Sequence, residues 1–510
     1  MNLQELLKGI AKAPALDITG LSDDSRQIEK GNIFIACQGK TYHGLDFVNE
    51  ALQSGAKAVL WDCATGDQSL ALGNAPFIAI NNLADQLGVI TNRWHKNPSE
   101  KINVIGITGT NGKTTIAFLI TQCLNYLGMR CAYIGTLGSG FGAVQTTSDG
   151  NQLGFVTKFS DDLSLTTPRC LELQKKISNL CITNTSYLAL EVSSHALSQR
   201  RIDGIKFDTV IFSNLTRDHI DYHGNMVSYG ASKERLFFEY SSKNQIINID
   251  DSFGEKLARK WGKDAIVISI KADRAIDDRR FVFVRSIKKE SFGSRIRINS
   301  SWGDAELYIP LIGDFNISNA VQVLAFLFIT NIEFKVACDA IENMTAPPGR
   351  IQYVKESSAD TVPDIFIDYA HTPAALEAAL KALRPHTIKN LWCVFGCGGD
   401  RDQGKRKIMG QVVNKLADRI VVTNDNPRCE SPMNIIQDIL KGIKSNNVIS
   451  IENRRDAIAH SITEAHHDDL ILISGKGHEN YQLIGNNRII FSDYKCAVIN
   501  LAHRLQGVNI

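Results

Sequence analysis

The stretch Ile102-Asn103-Val104-Ile105-Gly106-Ile107, followed after Thr108 by Gly109-Thr110-Asn111-Gly112-Lys113-Thr114-Thr115, decides the fold class of this 510-residue chain. Its first half is apolar and rich in β-branched residues, which predicts a buried strand. The glycines that follow predict a turn that opens a helix. A strand, a glycine turn and a helix in this order are typical of the start of an α/β nucleotide-binding domain.

The glycine turn carries the three groups that bind a nucleotide phosphate. Backbone N–H groups bind phosphate oxygens, Lys113 neutralises the β/γ charge, and the Thr114 hydroxyl ligates Mg²⁺. A strict Walker pattern needs glycine five residues before Gly112, but Ile107 stands there, so the turn is a variant. A chance glycine turn is the alternative, and its position after a β-branched strand argues against it. We predict ATP binding by Gly109, Thr110, Asn111, Gly112, Lys113, Thr114 and Thr115.

Length and composition bound the rest of the chain. At about 150 residues per domain, 510 residues predict three domains. With 56 basic and 54 acidic side chains, net charge gives no argument for nucleic acid or an anionic membrane. The N-terminus does not read as a secretory signal, and the apolar stretch at 320–329 is far short of the ~20 residues that cross a bilayer. We therefore expect a cytoplasmic protein without membrane insertion. The eleven cysteines show no zinc spacing and are expected to be reduced, mostly buried thiols.

We predict three α/β domains, at 1–99, 100–346 and 347–510. The first has short β-like runs and a helical pattern at Leu83–Trp94 that ends near Pro98. The second continues with strands at 187–192, 208–212 and 245–249, whose carboxyl ends carry polar residues, and closes after a helix at 334–343. The third alternates strands at 365–367, Leu391–Phe395, Arg419–Val422 and 470–473 with helices, which indicates a Rossmann-like unit.

A magnesium site is expected at the sheet edge that carries the glycine turn. Mg²⁺ prefers hard oxygen ligands, and Thr114 and Glu191 supply them there. A buried structural glutamate is the alternative for Glu191. His219 and His223, in the run 214–224, would fit zinc in isolation, but no third soft ligand is evident nearby.

Several of these segments resemble the Mur ligase and folylpolyglutamate synthetase superfamily, in which ATP activates a carboxylate as an acyl phosphate. The segments are the glycine turn, Glu191-Val192-Ser193-Ser194-His195, the run 214–224, and Ala231-Ser232-Lys233-Glu234. The resemblance implies Mg²⁺ binding by Glu191, a second Mg²⁺ approached by His219, and a carboxylated Lys233 as an anionic ligand. Without it, Lys233 reads as a solvent-facing helix lysine. The implied catalytic set is Lys113, Glu191, His219 and Lys233, and the metal ligands are Thr114, Glu191, His219 and Lys233. For His223, a structural role and ligand contact both stay open.

The first segment resembles the UDP-binding domain of Mur ligases. The matching runs are 23–26, 31–36 and 39–44, and the implied UDP contacts are Ser25, Lys40, Thr41 and Tyr42. Contacts to the muramyl dipeptide of UDP-MurNAc-L-Ala-D-Glu are implied for Thr166, Thr167, Ser193, Gln199 and Arg201, and an arginine fork suits carboxylates. Ordinary turn residues are the alternative for the UDP set. Leu165 stands where a related sequence has a substrate-binding asparagine, and the loop 138–165 is expected to be long.

The third segment resembles the members that add meso-diaminopimelate. Asp425-Asn426-Pro427-Arg428 matches their recognition motif, and Arg401, Gly475 and Glu479 match further amino-acid contacts. Meso-diaminopimelate has a second carboxylate that lysine lacks, so lysine would leave an arginine fork unpaired. Glu479 suits an ammonium group. The alternative for residues 425–428, taken in isolation, is a turn that opens a helix.

Four further residues are implied on the ATP side. Asn316 and Asn319 match an adenine-side loop, Asp368 a ribose contact, and Arg350 a phosphate contact. A structural role is the alternative for each of them.

The resemblance covers nearly the whole chain and implies an ATP-dependent ligase of peptidoglycan synthesis. The implied reaction adds meso-diaminopimelate to the γ-carboxylate of D-Glu in UDP-MurNAc-L-Ala-D-Glu, with ADP and phosphate as by-products. The alternatives are a lysine-adding Mur ligase, a folylpolyglutamate synthetase and a non-catalytic nucleotide-binding relative. Arg428 argues against the first, the UDP-binding segment against the second, and the four catalytic residues against the third. We expect a monomer.

Overall fold

The structure is a computed structural model that describes residues 1–39, 42–66, 75–146, 152–160, 165–271, 278–290, 292–354 and 361–506. The chain divides into two compact units. Unit 1 comprises Met1–Ile268 with Ile276–Phe281, and unit 2 comprises Ser269–Ala275 with Val282–Ile510. Both contain helices and parallel strands, so the predicted α/β class is confirmed. The boundaries at 99/100 and 346/347 stay a prediction.

The N-terminal part of unit 1 is a four-stranded parallel sheet in the order β1-β2-β3-β4. Its elements are α1 Leu3–Leu6, β1 Gly20–Ser22, β2 Asn32–Ala36, α2 Val48–Gln53, β3 Ala58–Asp62, β4 Phe77–Ile80 and α3 Leu83–Trp94. Every residue of β2 and β3 is buried. Both strands are mainly apolar, as expected for parallel strands that are covered on both faces.

The rest of unit 1 is built on a larger sheet. Its elements are β5 Asn103–Thr108, α4 Lys113–Tyr126, β6 Cys131–Gly135, β7 Gly138–Thr146, β8 Gln152–Ser160, α5 Cys170–Ile182, β9 Tyr187–Glu191, α6 Ser194–Ser198, β10 Thr209–Phe212, α7 Ile220–His223, α8 Met226–Phe238, β11 Asn244–Asn248, α9 Ser252–Trp261 and β12 Ile266–Ser269. The strand order is β12-β11-β10-β5-β9-β6-β7-β8. The first six strands are parallel, and their carboxyl ends meet at one edge.

The segment predicted as a long loop at 138–165 contains a hairpin instead. Strands β7 and β8 pair antiparallel with each other, and β7 pairs antiparallel with β6. The expectation was wrong because glycines at 138, 140 and 142 weaken the strand signal, since glycine is depleted in strands. The hairpin extends the sheet from β6.

Unit 2 begins with an antiparallel meander and two helices and continues with a six-stranded sheet. The elements are β13 Phe281–Glu290, β14 Gly293–Ser300, β15 Gly303–Ile309, α10 Asp314–Ile329, α11 Phe334–Glu342, β16 Gln352–Tyr353, β17 Asp364–Asp368, α12 Pro373–Leu383, β18 Leu391–Phe395, α13 Gly404–Leu416, β19 Arg419–Val422, α14 Pro432–Leu440, β20 Val448–Ser450, α15 Arg454–Glu464, β21 Leu470–Ser474, β22 Tyr481–Ile484, β23 Asn487–Ile490 and α16 Asp493–Leu505.

The six-stranded sheet has the order β16-β17-β21-β18-β19-β20 and is parallel except for β16. Apolar cores cover both of its faces. Strands β22 and β23 form a separate antiparallel hairpin. Within the described part of the chain, no helix is long and apolar enough to cross a bilayer.

Candidate active site

The glycine turn between β5 and α4 has the predicted form. Gly109 has φ +148°, and a Cβ there would lie 1.9 Å from Ser213 Oγ, so this position excludes a side chain. Gly112 has φ +86° and caps α4, which begins at Lys113. Because glycine adopts positive φ without steric cost, the chain turns directly from strand to helix. The turn 109–112 is called the phosphate loop below.

A second segment holds the phosphate loop in place. Ser213 Oγ donates to the Asn111 carbonyl (2.6 Å), and Asn111 N–H donates to Asn214 Oδ1 (3.0 Å). The Thr110 N–H donates to the Asn214 carbonyl (2.8 Å). Ser213 and Asn214 follow the end of β10, which lies beside β5 in the sheet. No role was predicted for either residue, although Asn214 opens the run 214–224 and polar residues after a buried strand were a signal.

Two lysines share one acceptor in the phosphate loop. Lys113 Nζ donates to the carbonyls of Gly109 (2.9 Å) and Thr110 (2.9 Å), and Lys233 Nζ donates to the same Gly109 carbonyl (2.7 Å). Lys233 is 1% exposed, so the alternative of a solvent-facing lysine is wrong. Burial lowers the pKa of Lys233 well below its usual range, and the charge on Lys113 lowers it further. A neutral amine is the form that captures CO₂, so this environment suits carboxylation.

Glu191 is completely buried at the end of β9, beside the phosphate loop. Its Oε2 accepts from Thr114 Oγ1 (3.0 Å) and Thr136 Oγ1 (3.1 Å). Its Oε1 accepts from the Thr136 N–H (2.9 Å) and from the Tyr133 hydroxyl. A Cβ at Gly135 would lie 2.2 Å from Oε1. No role was predicted for Tyr133, Gly135 and Thr136, because Tyr133 lies within a strand that reads as ordinary core and the other two end and follow that strand.

The oxygen donors at this edge fit Mg²⁺. The Thr114 hydroxyl and the Glu191 carboxylate are hard ligands that already lie within hydrogen-bonding distance of each other. Lys233 presents an amine, which fits the same ion only after carboxylation. His219 is the N-cap residue of α7, and about half of its side chain is exposed.

His219 belongs to an aromatic cluster with His195, Tyr222, His223 and Tyr229. The His195 ring lies 4.8 Å from that of His219 and 4.2 Å from that of Tyr222. Burial, followed by the neighbouring His219 and His223, lowers the pKa of His195 to about 4. Burial also lowers the pKa of His219 and His223, so neutral rings with lone pairs prevail at neutral pH. His223 Nε2 lies 3.0 Å from Ser194 Oγ.

The residues predicted to contact the dipeptide gather next to Glu191. Thr167 is buried, donates to the Glu191 carbonyl (2.8 Å) and accepts from the Ser193 N–H (3.1 Å). Arg201 Nη1 donates to the Thr167 carbonyl (2.9 Å), and its Nε donates to Gln199 Oε1 (3.0 Å). The Thr166 hydroxyl lies 3.4 Å from that of Thr136. The structure thus joins all five residues to the carboxyl end of β9.

The predicted UDP contacts lie in the N-terminal part of unit 1. Ser25 Oγ donates to Glu50 Oε2 (2.5 Å), and the Tyr42 side chain is largely exposed with its ring edge-on to Phe47. Lys40 and Thr41 lie outside the described residues.

In unit 2, carboxyl ends of parallel strands again bring the predicted residues together. Asp425 and Asn426 follow β19, Gly475 follows β21, and both loops are buried. Asn426 Nδ2 donates to Glu479 Oε2 (2.9 Å). Gly475 has φ +118°, and a Cβ at this position would lie only 2.5 Å from Asp425 Oδ2, so the position excludes a side chain. Among the described residues, the Asp425 carboxylate has no hydrogen-bond partner. The segment 425–428 is called the recognition loop below.

Arg428 ends the recognition loop in a left-handed backbone conformation (φ 53°). Its N–H donates to the Leu483 carbonyl (3.0 Å), and its carbonyl accepts from the Gly485 N–H (2.7 Å), so the β22–β23 hairpin holds this backbone. Its Nη1 donates to the Gly399 carbonyl (2.7 Å). Within the described ranges, Nε and Nη2 make no hydrogen bond and stay available for an anion. The Pro427 carbonyl packs against Gly399, and a Cβ at Gly399 would lie 1.9 Å from the carbonyl oxygen.

The remaining predicted residues of unit 2 are less closely grouped. Arg401 is exposed in the turn after β18, and its side chain bonds to no described residue. Asn316 and Asn319 are buried on α10, where Asn319 Nδ2 donates to Asn316 Oδ1 (3.2 Å). Asp368 accepts from the N–H groups of Ile351 (2.8 Å) and Ala370 (2.8 Å). The Arg350 guanidinium lies 4.8 Å from the centre of the Tyr369 ring.

Three family models match the chain. They are the Mur ligase family, catalytic domain at residues 17–95, the Mur ligase middle domain at 107–327, and the Mur ligase, glutamate ligase domain at 349–477. A relative from Coxiella burnetii, named UDP-N-acetylmuramoyl-L-alanyl-D-glutamate--2,6-diaminopimelate ligase, is 40% identical over 495 residues, which are 96% of this chain and 97% of the relative. The chain belongs to the Mur ligase family. A relative of the same name from Alkalilimnicola ehrlichii is 38% identical over 98% of each chain.

Solved structures of Mur ligases agree with this membership. One of a UDP-N-acetylmuramoyl-L-alanyl-D-glutamate--2,6-diaminopimelate ligase superposes with a TM-score of 0.69 at 30% identity and covers 99% of both chains. A folylpolyglutamate synthase from Mycobacterium tuberculosis, complexed with ADP and AMPPCP, reaches a TM-score of 0.58 at 17% identity over 83% of this chain and 96% of its own. This second likeness shows the fold alone.

Proposed function

We propose that this Mur ligase adds meso-diaminopimelate to the γ-carboxylate of D-Glu in UDP-MurNAc-L-Ala-D-Glu, at the cost of ATP. The products are the UDP-MurNAc-tripeptide of peptidoglycan synthesis, ADP and phosphate. The observation that carries the proposal is the recognition loop. Among the described residues, the Arg428 side chain there has N–H groups without an acceptor, and the Asp425 carboxylate has no donor. Such a site complements an amino acid that has an extra carboxylate and an extra ammonium group.

ATP binds at the phosphate loop of unit 1. Lys113 exchanges the carbonyls of Gly109 and Thr110 for phosphate oxygens, and backbone N–H groups at the start of α4 bind the same phosphates. Thr114, Glu191, His219 and a carboxylated Lys233 would hold Mg²⁺, which when bound neutralises phosphate charge. The substrate carboxylate is then able to attack the γ-phosphorus although both groups are anionic.

The reaction has two displacements. The γ-carboxylate oxygen attacks the γ-phosphorus, ADP leaves, and an acyl phosphate results. The diaminopimelate amine then attacks the carbonyl carbon, and phosphate leaves as the amide forms. Much of the acceleration comes from holding the two reactants in position. Arg201 and its neighbours Thr166, Thr167, Ser193 and Gln199 bind the dipeptide beside Glu191.

The other assignments follow from the same proposal. Ser25, Lys40, Thr41 and Tyr42 bind UDP in domain 1–99, and domain 100–346 carries the phosphate loop. Domain 347–510 binds the amino acid through Arg401, Asp425, Asn426, Pro427, Arg428, Gly475 and Glu479. Asn316, Asn319, Arg350 and Asp368 complete the ATP contacts. The enzyme acts as a cytoplasmic monomer.

The test is phosphate release with ATP, UDP-MurNAc-L-Ala-D-Glu and either meso-diaminopimelate or L-lysine. We expect kcat/KM to favour diaminopimelate by at least about 100-fold, because lysine leaves the Arg428 fork unpaired. Equal use of both amino acids would refute the role of Arg428. Phosphate release without the UDP-dipeptide would refute the ligase reaction.

A further inference from the structure

A completely buried ammonium group in unit 2 is unused by the proposed reaction. Lys476 is 0% exposed in the loop after β21. Its Nζ donates to Glu479 Oε2 (2.8 Å) and to Asn426 Oδ1 (3.0 Å), and it lies 5.6 Å from the Tyr481 ring centre. A buried charge is costly unless it is paired and hydrogen-bonded. Its two polar partners both belong to the predicted amino-acid site.

Lys476 binds one of the two carboxylate oxygens of Glu479 and leaves the other to the substrate. Oε2 accepts from Lys476 Nζ and also from Asn426 Nδ2 (2.9 Å). In the part of the chain that the structure describes, Oε1 accepts from no group. Because the Glu479 side chain is 17% exposed, Oε1 is the oxygen that is left to meet a ligand. The bonds to Oε2 fix the rotation of the carboxylate and therefore the direction of Oε1.

Asn426 ties this arrangement to the recognition loop. Its Oδ1 accepts from Lys476 Nζ (3.0 Å) and from the Leu483 N–H (2.9 Å), while its Nδ2 donates to Glu479. Two donors at Oδ1 assign the amide orientation without ambiguity. The same hairpin residue, Leu483, accepts from the Arg428 N–H. Lys476 therefore shares a hydrogen-bond network with the arginine that faces the second carboxylate.

Two acidic side chains of the site have oxygens that accept no hydrogen bond from the described residues, namely Asp425 and, at Oε1, Glu479. Burial raises the pKa of the Tyr369 hydroxyl to about 12, and the charges of Glu479 and Asp425 both raise it further. Both acidic groups are thus within electrostatic reach of one phenol.

We infer that Lys476 is a positioning residue, which fixes Glu479 so that Oε1 receives the ammonium group adjacent to the second carboxylate of the amino-acid substrate. The inference rests on the proposed function. It adds to the residues that contact the substrate a residue, Lys476, that orients one of them. Without the Lys476 ammonium, Oε2 keeps one donor and the carboxylate is free to rotate. Binding of the substrate ammonium then loses its preorganisation.

The experiment compares meso-diaminopimelate with 2-aminopimelate, which keeps the reacting amino group and both carboxylates but lacks the second ammonium. Phosphate release by the wild-type enzyme with diaminopimelate tests the proposed function by itself. For Lys476→Met we expect the KM for diaminopimelate to rise about 10- to 100-fold, with kcat within about threefold and unchanged KM values for ATP and the UDP-dipeptide. The preference for diaminopimelate over 2-aminopimelate should fall about tenfold.

A double variant separates positioning from a general structural role. Because Lys476 acts through Glu479, Lys476→Met/Glu479→Gln should match Glu479→Gln alone in KM for diaminopimelate. Lys381→Met removes an exposed lysine paired with Glu377 and should match the wild-type enzyme. If Lys476→Met does not fold, Lys476→Gln keeps a donor at this position and should give a smaller rise in KM.

The inference is overturned if both Lys476 variants keep the wild-type KM for diaminopimelate. It is equally overturned if their losses fall alike on ATP, the UDP-dipeptide and the amino acid, or if the effects of Lys476→Met and Glu479→Gln are additive. A wild-type enzyme that releases no phosphate with diaminopimelate would instead refute the proposed function.

Discussion

The phosphate-loop site of unit 1 and the recognition loop of unit 2 pair their buried charges differently. In unit 1, both oxygens of Glu191 accept two hydrogen bonds each from the protein. In unit 2, within the part of the chain that the structure describes, Asp425 is buried without a hydrogen-bond partner and the Arg428 side chain donates only through Nη1. The first site is satisfied before its ligands arrive, whereas the second leaves specific atoms for the substrate to pair.

This difference separates the chemistry from the choice of substrate. A carboxylate that the protein already holds by hydrogen bonds is preorganised, as phosphate transfer requires. A site with unpaired polar groups penalises every ligand that fails to pair them. Changes at the phosphate-loop site should therefore lower the rate with any amino acid, and changes in the recognition loop should affect the use of the amino acid only.

The largest effect is expected for Lys113→Ala. The variant lacks the Lys113 ammonium group, which bonds to the Gly109 and Thr110 carbonyls and is expected to bind the nucleotide phosphates instead when ATP is present. Steady-state phosphate release should fall about 10³-fold with every amino acid. Lys263→Ala, which removes an exposed lysine paired with exposed Asp278, is the matched control and should keep full activity. A loss of less than tenfold in Lys113→Ala would contradict the role of the phosphate loop.

Lys233→Met should lose activity by about 10²- to 10³-fold, because methionine provides no carbamate ligand. In CO₂-free buffer, the same variant should be more stable than the wild-type protein at pH 7. The folded-state pKa of Lys233 is lowered, so between that pKa and the ordinary 10.5 the unfolded chain binds a proton that the folded chain excludes. Wild-type stability therefore rises with pH across this window.

Thermal unfolding of both proteins as a function of pH measures the stability difference. Added bicarbonate should increase the activity of the wild-type enzyme and leave Lys233→Met unchanged. An enzyme that is fully active after complete removal of CO₂ would exclude the carbamate.

Arg428→Ala tests unit 2. Loss of a paired charge typically costs about 2–5 kcal/mol. The middle of that range, about 3–4 kcal/mol, corresponds to a fall in kcat/KM for diaminopimelate of about 100- to 1,000-fold. KM values for ATP and the UDP-dipeptide should stay within about twofold, since the fork meets neither. Steady-state kinetics with each of the three substrates measure these values. An equal loss of kcat/KM for all three substrates would contradict the contrast between the two sites.

The smallest effect is expected for Tyr133→Phe, which removes one of the four hydrogen bonds to Glu191. Removal of such a supporting partner typically weakens metal binding about tenfold or more. The Mg²⁺ concentration for half-maximal activity should rise by about that factor, while kcat at saturating Mg²⁺ stays near the wild-type value. An unchanged Mg²⁺ titration would show that the other three donors suffice.

The sequence predicts much of the framework because parallel buried strands are continuous apolar runs. Strands β5, β18 and β19 lie where the pattern places them, and the glycines at 109 and 112 mark the phosphate loop. The β7–β8 hairpin escaped prediction, since glycines interrupt its first strand. The meander β13–β15 was not predicted either, although its strands alternate buried and exposed residues in part.

The site is less predictable than the framework, because its groups meet only in the folded chain. Tyr133 and Glu191 are far apart in sequence, and a tyrosine in an apolar strand indicates only a core residue. Lys476 is charged, and charged side chains are usually exposed, so its full burial has no sequence signal. The resemblance to the family predicts roles for Lys233 and Arg428, whereas the groups that hold them, such as the Gly109 and Gly399 carbonyls, are evident only in the structure.

The backbone of Arg428 has a consequence for how this enzyme changes over generations. A φ of 53° suits glycine and asparagine and strains β-branched residues. Replacement of Arg428 by a β-branched residue is therefore disfavoured, unless Leu483 and Gly485 change as well and release the turn. If the recognition loop selects the amino acid as proposed, we expect that the loop and the β22–β23 hairpin must be exchanged together to change which amino acid the ligase accepts.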